Sequence, residues 1–335
     1  MRRISRRSAV GLIGIGMPAL LSRRADAAET VLKFANSNAS DHPINVRLNE
    51  AASRIREQTS GNVEIKIFPN SQLGGDTDVL SQLRSGGVDF FTLSGLILSN
   101  LIPVTAIHGV GFAFHNYADV WSALDGDLGK FLRAKIAGAN LYAFDRNWDD
   151  GFRHFFSSTK PILKPEDMQG FKLRVPASPM FVSLFKTLGA APTPINWGET
   201  YSALQTKVVD GLEQSLVNMD ASKVYEVQKY GSIVNYSWNG FFLLANGAVW
   251  KGLPDQQKTV IASAFNDSAL KQRADVAQLE ESLKKKLQEK GIAFSTPDTV
   301  PFKEALEKGG YYAEWRGKFG EEAWAALEKY SGRLG

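Results

Sequence analysis

FKLRVP (Phe171–Pro176), followed by PTPINWGETYSALQTKVVDGLEQ (Pro192–Gln214), decides how this 335-residue chain is read. Arg174 stands in a short extended run between Leu173 and Val175, and Pro176 disfavours a helical conformation at Val175. A half-buried guanidinium needs an anion, and its planar fork fits a carboxylate best. That anion is either a neighbouring side chain in a structural salt bridge or a ligand. The residues around the arginine bear on the choice.

KLRVP (Lys172–Pro176), PTP (Pro192–Pro194) and the pattern carried by Glu199, Tyr201, Ala203, Leu204, Gln205, Val209, Asp210, Gly211 and Glu213 together resemble the solute-binding proteins of TRAP transporters, the DctP-type family. LKFAN (Leu32–Asn36) resembles the family's first strand, and NSQLGGDTDVLSQLRSGGVDF (Asn70–Phe90) its next strand–helix–strand segment. VYEVQKY (Val224–Tyr230), LPDQQKTVI (Leu253–Ile261) and TPDTVPFKEAL (Thr296–Leu306) follow in the expected order. The resemblance covers nearly all of the chain after residue 27. It implies an α/β, two-lobed periplasmic-binding-protein (Venus-flytrap) fold, with strand crossovers as the hinge and a long helix spanning both lobes.

Charge agrees with such a role. The net charge is +4, yet residues 1–27 hold six arginines against one acid, so the remainder is close to neutral. The excess is an N-terminal address, and nucleic-acid binding is excluded as a reading. Arg6 and Arg7 form a twin-arginine pair before an apolar run from Ala9 to Leu21, and Ala25-Asp26-Ala27 offers small residues for cleavage. That run reaches roughly 20 Å as a helix, short of a ~30 Å hydrocarbon core. Residues 1–27 therefore read as a cleaved export signal of the Tat type, and the mature protein as periplasmic. A general secretory signal is the alternative, because Ala9 and Val10 replace bulkier residues. With no cysteine there is no disulfide, thiolate metal site or lipid tether.

Helical spacing of Ile44, Leu48, Ala51 and Ile55 predicts a helix over Pro43–Gln58, between strands at 30–37 and 63–68. Strand–helix–strand in this order argues for a parallel βαβ unit. A helix over Asp76–Ser85 and a strand over Val88–Ser94 continue it. A strand from Asn140 leaves this lobe, Arg153–Ser157 and Lys172–Val175 begin a second, and a helix covers about Gly198–Thr206. Ser237–Asn246 reads as the returning strand. The run from Pro254 to Lys290 contains no internal proline or glycine and predicts one helix of roughly 54 Å, longer than one lobe is wide. Two helices broken near Asp267–Ser268 are the alternative. The expected division is 28–150 with 240–279 as lobe I, and 151–239 with 280–335 as lobe II.

The resemblance implies that Arg174 receives a ligand carboxylate, that Arg153 in Gly151-Phe152-Arg153 adds a second donor, and that Gln214 occupies a position usually held by Asn. Trp197 stands where the family often has an aromatic ring, which would pack on the ligand's carbon skeleton or serve as ordinary core. Asp149 and Asp150 depart from the family pattern. They read as a solvated turn, a partner for Arg153, or acceptors for sugar hydroxyls. Ser37, Asn38 and Ser94, at strand ends of the first lobe, complete the candidate set. Glu199 reads as a helix-start residue and Asp210-Gly211 as a turn, not as catalytic groups.

No cofactor or metal is expected: the four histidines lack metal spacing, and H-E-x-x-H, G-x-S-x-G and P-loop patterns are absent. The expected function is capture of an organic acid, a sugar acid or hydroxylated C4–C6 carboxylate, and its delivery to TRAP-type membrane permease subunits by a monomer. An aromatic or branched-chain monocarboxylate is the alternative ligand. A periplasmic lyase and a ligand-loaded sensor partner are the readings from other classes.

Overall fold

The computed structural model describes residues 30–335, so the export-signal reading of 1–27 lies outside the described residues. Ten strands run β1 (Thr30–Ala35), β2 (Val63–Phe68), β3 (Phe90–Ser94), β4 (Leu141–Ala143), β5 (Trp148–Ser157), β6 (Lys172–Val175), β7 (Ala191–Pro194), β8 (Gly211–Gln214), β9 (Tyr230–Asn246) and β10 (Ala293–Ser295). The helices of the first half are α1 (Pro43–Gln58), α2 (Asp76–Ser85), α3 (Gly95–Leu98), α4 (Tyr117–Leu124) and α5 (Asp127–Gly138). Then come α6 (Pro179–Thr187), α7 (Trp197–Gln205), α8 (Leu216–Ala221) and α9 (Gly247–Gly252). The chain closes with α10 (Asp255–Glu289), α11 (Val300–Lys308), α12 (Tyr311–Phe319) and α13 (Glu321–Ser331).

The local signals explain the early elements. α1 starts with His42 accepting from the Ile44 N–H and Pro43 in its first turn, and it buries Ile44, Leu48, Ala51 and Ile55. α2 stops at Gly86, whose φ of +83° suits a residue without Cβ. β1 pairs in parallel with both β2 and β3, and β6 in parallel with both β7 and β8.

One continuous sheet joins the two parallel sets, in the order β2-β1-β3-β9-β5-β8-β6-β7. The crossovers are longer than the sequence pattern indicates. β5 begins at Trp148, not Arg153, and β9 begins at Tyr230, not Ser237, so both strands run through the junction. β5 is buried along its whole length, and a strand covered on both faces shows no polar–apolar alternation to mark its ends, whereas the start of β9 is of mixed exposure, with Asn235 exposed. The β5–β9 ladder slips between Asp149 and Gly151, opposite Gly240 and Asn239, which makes a β-bulge at Asp150. Bulges bend a strand and re-aim a side chain.

α10 is an uninterrupted helix of 35 residues, about 52 Å long at 1.5 Å per residue. The alternative break near Asp267–Ser268 does not occur. Its first part packs on α1, where Asp275 receives a two-pronged bond from Arg47 (2.6 and 2.7 Å) and Asp267 pairs with Arg54. Its later part reaches α8, where Lys286 pairs with Asp220 at 2.7 Å. Between them α10 clamps the crossover: the buried Gln272 accepts from the Asp149 N–H and donates to the Asp149 carbonyl, both at 2.8 Å. Arg273 donates to the Asn147 carbonyl, pairs with Asp125 and lies 3.8 Å over the Trp121 ring.

On this face the core divides into two clusters, one under α1 around Phe34, Phe90 and Phe265, the other around Leu212, Leu283 and Leu287. The opposite face holds one cluster that continues from Leu83 through Trp238 to Trp324. There α13 packs on α4 and α5 while α12 packs on α6.

Gln272→Ala should leave two buried backbone groups at the crossover without partners, at a cost of about 2–4 kcal/mol. Urea denaturation checks this. A loss below about 0.5 kcal/mol would show the clamp to be idle.

Candidate functional site

The carboxyl ends of β1, β3, β6 and β8 converge on one cavity, the position where open parallel sheets hold ligands. Its interior admits the centre of a water-sized sphere over about 40 Å³. That exceeds the room one structural water needs, roughly 10–15 Å³ on the same measure. Ser37, Asn38, Asp76 and Ser94 line it from the first set of strands, and Arg174, Trp197, Gln214 and Asn218 from the second. Asp150, Arg153 and Asn239 form its floor on the crossover strands, while Leu96, Ile97, Pro176 and Phe241 supply apolar wall.

Two buried arginines meet here in opposite electrostatic conditions. Arg153 bonds Glu213 through Nε and Nη2, donates also to the Glu213 carbonyl (2.9 Å), and reaches Asp150 from Nη1 at 3.0 Å. Glu213 is fully buried and accepts a further bond from the Tyr236 hydroxyl at 2.5 Å. Burial disfavours the charge on Arg153, but Glu213 and Asp150 outweigh it and hold the guanidinium's pKa above its ordinary value. Arg153 therefore lines the cavity as a neutralised group with almost no donor to spare.

Arg174 is different. Only 2% of it is exposed, yet among the described residues no carboxylate lies within salt-bridge distance. Nε (3.0 Å) and Nη2 (2.7 Å) both donate to the Ile195 carbonyl, and the guanidinium carbon sits 5.4 Å over the Trp197 ring. Nη1 has no protein acceptor among the described residues. Burial, reinforced by repulsion from Arg153, pulls its pKa down to about 10, against the attraction of Glu213, Asp76 and Asp150. It remains a cation at neutral pH: fixed in direction, desolvated and unpaired.

Eight of the nine candidate residues line the cavity, and Asp149 does not. Neither aspartate occupies the solvated turn that Asp-Asp-Gly resembles, for both are buried in β5. The bulge splits them to opposite sides. Asp150 faces the cavity, taking bonds from Arg153 and from the Asn239 amide (2.7 Å) on Oδ2 and from Asn218 on Oδ1. Asp149 accepts from Trp238 Nε1 and the Gly151 N–H, both at 2.9 Å, while its Oδ2 has no partner. Burial, with smaller contributions from Glu280 and Asp150, pushes its pKa up to about 8. Gln214 Oε1 is occupied by the Ser215 N–H (2.9 Å).

Four residues escaped the sequence reading. Asp76 opens α2, where an acid reads simply as a helix-dipole partner. It is 4% exposed, and burial raises its pKa against the Ser37 bond and the Arg174 field. Asn239 interrupts the apolar run of β9, a signal that was available. It links Ser94 (2.7 Å) to Asp150. Asn218 receives a bond from Asn38 at 3.2 Å, a direct contact between the two sets of strands. Glu213 stands sixty residues from Arg153, and no local spacing reveals that pairing. Gly211 opens β8 and is not part of a turn, which is what carries Glu213 into the sheet.

The chain is similar to known proteins. The family model described as bacterial extracellular solute-binding protein, family 7 (DctP) matches residues 34–315. An uncharacterized Sinorhizobium fredii protein is 34% identical over 77% of this chain, and the chain spans about half (48%) of that relative's own length. The Rhodobacter capsulatus C4-dicarboxylate-binding periplasmic protein DctP is 31% identical over 79% of this chain and 80% of its own. Among solved structures, the sugar acid binding protein DctPAm from Advenella mimigardefordensis, in complex with galactonate, superposes with a TM-score of 0.87. It is 30% identical and covers 92% of this chain and 100% of its own.

Asp149 yields a pH test. Its carboxyl has a higher pKa folded (about 8) than ordinarily (3.8), so its contribution to stability is full at low pH and is lost as pH rises through that interval. Asp149→Asn keeps the neutral form. Its thermal midpoint should gain on the wild type between about pH 5 and about pH 8.5. A constant difference across that range would contradict the burial argument.

Proposed function

The chain belongs to the bacterial extracellular solute-binding proteins of family 7, and we propose that it captures a sugar acid in the cavity between its two sets of strands and hands it to a TRAP-type membrane permease. One observation carries the reading: a buried, oriented guanidinium at Arg174 without an internal anion. A ligand carboxylate accepting from Nη1 and Nη2 would supply the missing charge while the Ile195 carbonyl keeps the fork in place.

The rest of the cavity favours a hydroxylated carbon skeleton. Asp76 and Ser37 offer acceptors from one side, while the Gln214 amide nitrogen offers a donor from the other. Ser94, Asn38 and Asn239 add neutral partners. Asn38 Oδ1 has no partner within the protein, and an aromatic or branched monocarboxylate would leave it buried and unsatisfied, at about 1–3 kcal/mol. Trp197 gives a broad flat face for the ligand's carbons. Arg153 and Asp150 act in this scheme as a fixed ionic floor, and any contact from them to the ligand is secondary. A binding role fits better than catalysis: Asp150 and Glu213, the carboxylates at the floor, are occupied by internal partners, and no nucleophile–base pair lines the cavity among the described residues.

Closure follows from the topology. Contacts come from both sides of β5 and β9, so a bound acid stabilises the closed arrangement by its differential contacts. The lobe division of 28–150 with 240–279, and 151–239 with 280–335, belongs to this proposal, with α13 tying the C-terminal helices to α4 and α5 as well. Export to the periplasm and a monomeric state complete it. No helix among the described residues is long and apolar enough to cross a membrane.

Arg174→Ala should raise the dissociation constant for the bound acid at least about a hundredfold, since it strands a carboxylate in a closed site at a cost of about 3–5 kcal/mol. Arg174→Lys should fail nearly as badly, having no planar fork. Calorimetry reads both, and near-normal binding by either variant removes the residue from this role. In a thermal-shift screen, aldonic and uronic acids at a hundred times their dissociation constant should stabilise by about 2.7 kcal/mol, a shift of several degrees, and benzoate should not. The reverse order would favour the aromatic alternative.

A further inference from the structure

A second, larger chamber adjoins the first. It admits a water-sized sphere over about 360 Å³, is open to solvent, and shares two lining residues, Ser37 and Trp197, with the inner cavity. Trp197 is half-buried and lines both cavities. Asn70 enters the outer chamber from the β2–α2 connection, and Tyr201, Ser222 and Lys223 enter from α7 and the segment after α8. No carboxylate lines it.

Lys223 is the one cation of that lining. Lys223 is exposed, and among the described residues its ammonium makes neither a hydrogen bond nor a salt bridge. Its backbone lies at φ +54°, the left-handed region that a lysine seldom occupies, and Asn70 across the chamber lies there too, also at φ +54°. Non-glycine residues held in that region cost on the order of 1 kcal/mol or more and cluster at binding sites. Here the strain sets an unpaired cation at the wall of a polar chamber.

We infer that the outer chamber is a second subsite, which takes the far end of an elongated diacid. The first carboxylate sits on Arg174, the carbon skeleton passes Trp197, and a distal carboxylate meets Lys223. The ligand class is an acid with an anionic group at each end, either an aldaric acid or a short oligomer of uronic acids. This rests on the reading of Arg174 given above and extends it beyond the tryptophan.

Three probes test it by calorimetry: galactonate, galactarate and digalacturonate. The informative variant is Lys223→Asn, since asparagine accepts a left-handed backbone and removes the charge without new strain; Lys223→Arg keeps the charge. The wild type should bind at least one diacid. Lys223→Asn should weaken that diacid at least about tenfold, leave galactonate within about twofold, and Lys223→Arg should recover most of the loss. Failure of the wild type to bind either diacid, equal loss for galactonate and diacid, or no loss at all would overturn the inference. Galactonate binding that Arg174→Ala abolishes would in each case leave the inner-site reading standing. If no probe binds the wild type, both readings fall together.

Discussion

The structure turns on a buried positive charge that the protein does not neutralise. Desolvating a guanidinium costs several kcal/mol unless an anion and hydrogen bonds compensate. The chain meets that cost fully for Arg153 and only in part for Arg174. The two side chains share the same small volume, so the difference is local. Glu213 is placed by β8 directly on Arg153, and Tyr236 and Asp150 complete that network. Arg174, one strand further along on β6, has only the Ile195 carbonyl and the Trp197 face. A protein that needed merely a stable core would bury neither group, or would pair both.

What holds this arrangement is the geometry of the crossover. The bulge at Asp150 sends one aspartate into the cavity and its neighbour Asp149 away from it, so a single slip in the ladder serves both the binding floor and the clamp behind it. Gln272 of α10 grips the backbone at that same residue. The long helix is thus more than a brace across two halves: it fixes the irregular point that orients Asp150, while a second shift in the same ladder follows Arg153. With Arg153 satisfied, Arg174 is the cation left for an incoming acid.

Much of the fold was legible because its early elements are amphipathic and bounded by proline and glycine. α1, β2 and α2 have the limits that their hydrophobic spacing predicts, and α10 follows from the absence of breakers. β5 reads too short from the sequence because its added residues are buried on both faces and lose the two-residue period, whereas the added start of β9 is of mixed exposure, with Asn235 exposed. In the site, motif positions such as Arg174 and Gln214 could be located by resemblance, but their electrostatic states could not. Whether an arginine is neutralised depends on a residue sixty positions away, as with Glu213. Asp-Asp-Gly reads as a turn in one dimension, and only the register against Gly240 and Asn239 turns it into a bulge.

The most direct test of the central claim is a crystal structure of the protein grown with a bound aldonic or uronic acid. The account predicts that the ligand carboxylate accepts hydrogen bonds from the Arg174 guanidinium, with the Ile195 contacts kept and Arg153 still paired to Glu213. A ligand carboxylate held elsewhere, with Arg174 turned onto Asp76 or out to solvent, would contradict it.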